Sequence, residues 1–184
     1  MTDPILLRTA SPERLAAVLG PGVPAAVVAR LVQSPRLQTR LTALMVSRLG
    51  ELGPVTPSQA KALALMPDAL VALSRRAGAV WHAGALARTI DGPGRRSLAA
   101  AIGEDDYGTA LAGLFLAPPA EVLHHPSVDL IGMIATDGAA CLAAWCGKQP
   151  ATVAGRLNLS RPDAQAGAAH DRFGPKSVAW LLER

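Results

Sequence analysis

Aromatic residues are nearly missing from this chain: its 184 residues include three Trp, two Phe and one Tyr, 3% in all. Half of the residues are apolar nonetheless, so the interior has to be filled with Ala, Leu and Val, small aliphatic side chains that suit closely spaced helices. No segment alternates apolar and polar residues with a period of two and no repeat of fixed length recurs, which removes sheet-built folds and repeat arrays from consideration. Cysteine is scarce, and Cys141 and Cys146, five apart, fit neither a disulfide framework nor half of a zinc site. Two buried free thiols are expected. Charged residues amount to 17%, and with so much apolar content extended disorder is not expected. No uncharged apolar run reaches the roughly 18 residues of a membrane span, and the opening "MTDPILLRTASPER" lacks a basic end followed by a long apolar stretch. The expected location is the cytoplasm.

What the chain does have is punctuation. Prolines recur where a first helical turn tolerates a missing N–H. "SPERLAAVLG" reads as a helix capped by Ser11, with Pro12 in its first turn and a stop at Gly20, and a second helix restarts at Pro24. From Ser34 a longer helix spaces Leu37, Leu41, Leu44 and Val46 or Arg48 so that one stripe is apolar and another basic. Thr56 and Gln59 form a capping box, and a dense apolar helix follows from Pro67 through Leu70, Leu73 and Val80. Beyond Gly84 the helical pattern continues to the corner "DGPGRRS". The next helix carries Leu98 and Ile102 on one face. Tyr107, Leu111, Leu114 and Phe115 then share a stripe expected to be buried, behind a solvated acidic turn of Glu104, Asp105 and Asp106. A long helix near "VDLIGMIATDGAACLAAWCG" has Gly132, Gly138, Ala139 and Ala143 for close approach by a neighbour. "QPATVAGRLNL" and "GPKSVAWLLER" supply two more. The expected fold is therefore all-α, a compact array of short and medium helices joined by Pro/Gly turns. It forms one helical domain over residues 1–184, with a looser N-terminal subregion 1–55 and a C-terminal tail 160–184.

Chemistry is harder to find. Gly92 and Gly94 precede Arg95 and Arg96, but the third glycine of a dinucleotide fingerprint and the Lys-Ser/Thr of a P-loop are both missing, and the segment follows a helix. It reads as a corner between helices, with weak anion binding at a helix N-terminus as the alternative. Three adjacent carboxylates at Glu104, Asp105 and Asp106 point in different directions and cannot converge on one ion. His124 and His125 are adjacent as well; only His125 with Asp129 offers a metal pair. Cys141 and Cys146 have no neighbouring His in sequence, and no nucleophile elbow occurs. The chain is thus expected to be no enzyme, with no catalytic residue, metal or cofactor. A helix-turn-helix over Leu86 to Ile102 is the alternative for nucleic acid, but the second helix offers two arginines and then alanines, with nothing further along to read base edges. Charge is uneven: residues 1–102 carry twelve Lys or Arg against five Asp or Glu, whereas residues 103–184 carry six against nine. An acidic partner for the first half would suit that asymmetry.

Two blocks carry a resemblance. "LSRRAGAVWHAGALARTIDGPGRRSLAAAIGEDDYGTAL" and "GAACLAAWCGKQPATVAGRLNLSRP" resemble the YscK/PscK (SctK) family of type III secretion proteins. The matching positions are Gly78, Val80, His82, Gly84, Arg88, Ile90, Leu98, Gly103 and Leu111 in the first, and Gly138, Leu142, Ala143, Pro150, Arg156, Leu157, Leu159 and Pro162 in the second. The resemblance spans residues 73 to 162. It implies a non-enzymatic cytosolic adaptor of an injectisome sorting platform, peripheral to the inner membrane. Such an adaptor links the cytoplasmic domain of the inner-membrane ring protein to the SctQ pod protein, and through it, indirectly, to the stalk and export ATPase. Contact with the membrane is then only indirect, and no nucleic acid is bound. The charge asymmetry then makes Arg75, Arg76, Arg88, Arg95 and Arg96 the expected face for one acidic partner, with Trp81 as an anchor, and the C-terminal half the expected site for the other. Trp81 and Trp145 each lie in an apolar helical run, so a place in the core is the competing expectation.

Overall fold

The computed structural model describes residues 7, 10–89, 91–122 and 129–184. Among these the chain is all-α: eleven α-helices and two single 3-10 turns, with no strand. The helices are α1 (Pro12–Leu19), α2 (Ala25–Gln33), α3 (Pro35–Leu49), α4 (Pro57–Leu63), α5 (Pro67–Trp81), α6 (Ala83–Arg88), α7 (Gly92–Ile102), α8 (Glu104–Ala112), α9 (Leu130–Gly147), α10 (Ala151–Leu157) and α11 (Ala168–Glu183). Their starts follow local chemistry. Ser11 Oγ accepts from the Arg14 N–H, the Thr56–Gln59 box closes on both sides, and Asp91 and Asp129 accept from Gly94 and Gly132 at the starts of α7 and α9.

The chain divides into two compact units, residues 1–68 with 149–161, and residues 69–148 with 162–184. In the first, Leu7, Leu15, Val28, Leu41, Met45 and Leu159 form a buried cluster. Residues 149–161 are stitched into it by polar contacts. The Ser11 N–H donates to Leu159 O at 3.2 Å, Arg14 Nη1 donates to the carbonyls of Asn158 and Arg161, and Arg156 Nη2 reaches Gly50 O at 2.8 Å. α3 departs from the expected stripe. Leu41, Thr42 and Met45 face the core, while Leu37 and Leu44 are 41% and 46% exposed. At 100° per residue Leu37 and Leu44 fall together on an arc beside the buried one, so a single apolar face was too coarse a description.

In the second unit the central element is α9. It is long and apolar enough to cross a membrane by length and composition alone, but Cys141, Leu142, Trp145 and Cys146 are buried in the unit's interior. α5 crosses it with no side chain between the backbones: a Cβ on Gly78 would lie 1.8 Å from Ile134 O, and one on Gly138 would lie 2.0 Å from Ser74 O. Gly138, expected to admit a neighbour, does so; α11 also packs closely, though less so than α5, since a Cβ on Gly174 would sit 2.9 Å from Cys141 Cα.

Two expectations fail in this unit. α8 stops at Ala112, and a 3-10 turn over Leu114–Leu116 carries Leu114 and Phe115 outward, Phe115 to 71% exposure with its ring edge-on to Trp180. α11 begins at Ala168, well before Pro175, which lies inside the helix. Proline there leaves Asp171 O without its usual i+4 donor. Lys148 Nζ supplies one at 2.6 Å.

Candidate functional site

Three polar arrangements in the second unit decide which of the expected site residues can meet a partner. The first joins α5 to α8. Asp106 is buried, and its carboxylate accepts from Arg75 Nε and Nη2 at 3.1 and 2.8 Å on one oxygen and from Arg76 Nε at 2.6 Å on the other. This corrects two expectations at once: the acidic first turn of α8 is not wholly solvated, and Arg75 and Arg76 already hold a carboxylate of their own chain. Both guanidinium groups are about half exposed, so the pairing is screened on its outer side.

The second lies where α5, α9 and α11 meet. Asp137 is the single charged residue in α9, and it takes His82 Nε2 at 2.7 Å on one oxygen and His170 Nε2 at 3.1 Å on the other. Partial burial works to raise the Asp137 pKa, but the hydrogen bonds from the two imidazoles outweigh it and hold the carboxyl below the ordinary 3.8. The Gly167 N–H approaches His170 Nδ1 at 3.4 Å, which leaves Nε2 to carry the proton donated to Asp137. Trp81 closes the cluster. Its ring stacks on His170 at 4.5 Å and meets Phe173 edge-on at 6.5 Å. Burial, with Asp137 as the lesser cause, pushes the Cys141 thiol well above its ordinary pKa, so it is not a thiolate at neutral pH.

The third is open. α7 and α8 meet at Gly103, whose φ of +97° turns the chain sharply without the strain a side chain would bring there. Between the two helices lies a groove of about 380 Å³, floored by Ala99, Tyr107 and Leu111 and edged by Arg95, Arg96 and Glu104. Two guanidinium groups against one carboxylate leave its rim cationic, over an apolar floor.

The six residues expected to bind a partner are therefore not one face. Arg95 and Arg96 line the groove; Arg75 and Arg76 are held by Asp106; Arg88 is exposed at the end of α6 and does not line the groove; Trp81 is only 3% exposed, in the core with Trp145. Glu104, Tyr107 and Leu111 are the groove residues that the sequence did not assign to a site, though the helical spacing of Tyr107 and Leu111 was visible in it. The His125–Asp129 pair lies outside the described residues, since His124 and His125 are not among them. Among the described residues no three His, Cys, Asp or Glu side chains gather as a metal site.

Fold and surface define an all-α protein whose second unit holds one buried and one partly buried carboxylate, Asp106 and Asp137, and opens a cationic groove. Two known proteins are similar over most of its length. They are both the nodulation protein NolU, one from Rhizobium fredii and one from Sinorhizobium fredii (strain NBRC 101917 / NGR234). Each is 30% identical over 184 residues, which cover 96% of this chain and 82% of the relative. The chain belongs to the NolU family. No protein-family model matches it, and no solved structure does.

Proposed function

We propose that the protein is a non-enzymatic adaptor of a type III secretion apparatus, linking the cytoplasmic domain of the inner-membrane ring protein to the SctQ-type pod protein on the cytoplasmic side. The observation that carries this reading is the relationship to NolU, which fits a type III secretion-related role and extends over 96% of the chain, beyond the SctK-like blocks at residues 73 to 162. The groove between α7 and α8 supports it. An apolar floor with a cationic rim suits an acidic protein segment carrying an apolar anchor, and electrostatic complementarity of this kind sets specificity and speeds encounter. Arg95 and Arg96 take the binding role; Arg75 and Arg76 contribute by fixing α8 through Asp106.

The test is co-expression of the chain with the pod protein and, separately, with the ring domain from the same genome, followed by size-exclusion chromatography with light scattering. A defined complex with each is expected, and R95E/R96E should weaken one of the two and spare the other. A folded helical sample that binds neither partner overturns the adaptor reading. Strongly salt-dependent binding of duplex DNA would replace it with the regulator reading.

A further inference from the structure

The outward face of α3 is a surface that the adaptor reading does not use. The described residues of the first unit carry eight Lys or Arg against three Asp or Glu. α3 itself has three arginines and no acidic residue in its 15 positions. Arg36, Arg40 and Arg48 are all exposed, and the ion pairs found among the described residues involve none of them. Leu37 and Leu44 lie exposed on the same arc, seven residues and about 10 Å apart along the axis. Seven is the spacing at which one helix repeats its contact with another, and arginines flanking such a seam select a partner helix with acidic flanks.

From this geometry we infer that the α3 face of Arg36, Leu37, Arg40, Leu44 and Arg48 docks an acidic amphipathic helix of a partner protein. The arc disfavours the other polyanions. An interfacial membrane helix needs a broad apolar face with aromatic residues, but the outer arc of α3 has two leucines and no aromatic; Leu41 and Met45 are buried in the core, and Val46 and Leu49 are partly buried. A base-reading helix sets free amide groups beside its guanidinium groups, and here the amide is taken. Gln38, the one amide on α3, donates its Nε2 to Val32 O at 2.9 Å.

The probe is a fluorescein-labelled 21-residue peptide built from three Leu-Glu-Glu-Leu-Glu-Ala-Glu heptads, titrated by anisotropy against the full chain. A peptide of the same composition in scrambled order is the comparison. The ordered peptide should bind at least five-fold more tightly than the scrambled one. R36E/R40E/R48E and, separately, L37S/L44S should each weaken it ten-fold or more, with helical circular dichroism unchanged because all five positions are exposed. K61E, a charge reversal on α4, should change it less than two-fold, whereas R40E alone should change it more. Equal binding of ordered and scrambled peptides, no binding of the ordered peptide, or indifference to the leucine variant overturns the inference. Binding of phosphatidylglycerol vesicles or of duplex DNA that is tighter than the peptide and lost in the arginine variant also overturns it, in favour of a lipid or nucleic-acid surface.

Discussion

Replacing Gly78 with alanine tests the crossing on which the second unit is built. The added Cβ would sit 1.8 Å from Ile134 O and 2.9 Å from Gly138 N, where ordinary contact begins at 3.4 Å. Both obstacles are backbone, so neither can rotate aside, and α5 and α9 must part by about 1.5 Å along much of their contact. Overpacking of this kind costs about 1–3 kcal/mol and at times more, and the contacts opened beside it lose dispersion as well. Alanine returns about 1 kcal/mol of helix propensity. A clash of backbone with backbone belongs at the upper end of that range, so the net loss is about 2 kcal/mol or more, a fall in Tm of roughly 4–8 °C or more for a chain of this size. All three tryptophans, Trp81, Trp145 and Trp180, lie in the second unit, so tryptophan fluorescence during urea unfolding follows that unit selectively. The control is Gly108→Ala on the exposed side of α8, where a Cβ meets nothing within 4 Å; there the same substitution should stabilise by about 0.5–1 kcal/mol. If G78A unfolded at the same urea concentration as G108A, the backbone-to-backbone crossing would be refuted.

The remaining expectations concern the polar anchors. R75A and R76A should each cost about 1 kcal/mol or less, because the other arginine still serves Asp106; R75A/R76A should cost about 3 kcal/mol or more by leaving a buried carboxylate unpaired, and a denaturation cycle that proved additive would contradict the shared clamp. Asp137 has its pKa depressed by folding, so its contribution is present above the unfolded value and is lost as pH falls through the folded one. D137N should accordingly be less stable than wild type at pH 7 by about 1–3 kcal/mol, with the gap shrinking below pH 3.8; a gap that does not shrink on acidification would show that the carboxylate charge is not what matters. K148M should cost about 0.5–1 kcal/mol, and much less in a P175A background, where the backbone regains an N–H to serve Asp171 O; equal costs in both backgrounds would break the link between the lysine and the proline.

How far such features are legible in the sequence depends on the reach of the interaction. Ser11 and the Thr56–Gln59 box bond within three residues, so residue type and spacing suffice, and those caps are where the sequence puts them. Gly138 was legible as a point of approach because a small residue in an apolar helix has few other uses. Asp106 was not. Its partners lie 30 and 31 residues away, and a carboxylate in a first helical turn has a sufficient local explanation in the helix dipole. Proline has the same limit: it marks helix starts in α1, α3, α4 and α5, but Pro175 lies inside α11, where Lys148 serves the carbonyl left without a donor. The groove is half legible: the spacing of Arg95, Arg96, Tyr107 and Leu111 is in the sequence, but not the turn at Gly103 that brings them together. Asp137 carries a signal of its own. A lone carboxylate in the most apolar helix needs buried donors, and the chain has few histidines to provide them.

Folding also changes what the charge distribution means. Read along the chain, twelve cationic residues against five acidic ones in residues 1–102 suggest a basic half. In the folded protein, residues 149–161 bring Arg156 and Arg161 to the first unit, whereas the described residues of the second balance nine Lys or Arg against ten Asp or Glu. Within that near-neutral unit the positive potential is local, because Asp106 cancels much of Arg75 and Arg76 while the groove keeps Arg95 and Arg96 beside a single Glu104. At physiological ionic strength screening acts over about 8 Å, so a partner at the groove senses that rim and little of the remaining charge. A partner drawn only by net charge would weaken by similar steps whichever arginine was reversed. A partner seated in the groove must instead respond to Arg95 and Arg96 directly and to Arg75 and Arg76 through the position of α8, so R75A/R76A should change its affinity only to the extent that it shifts Tyr107 and Leu111 on the groove floor.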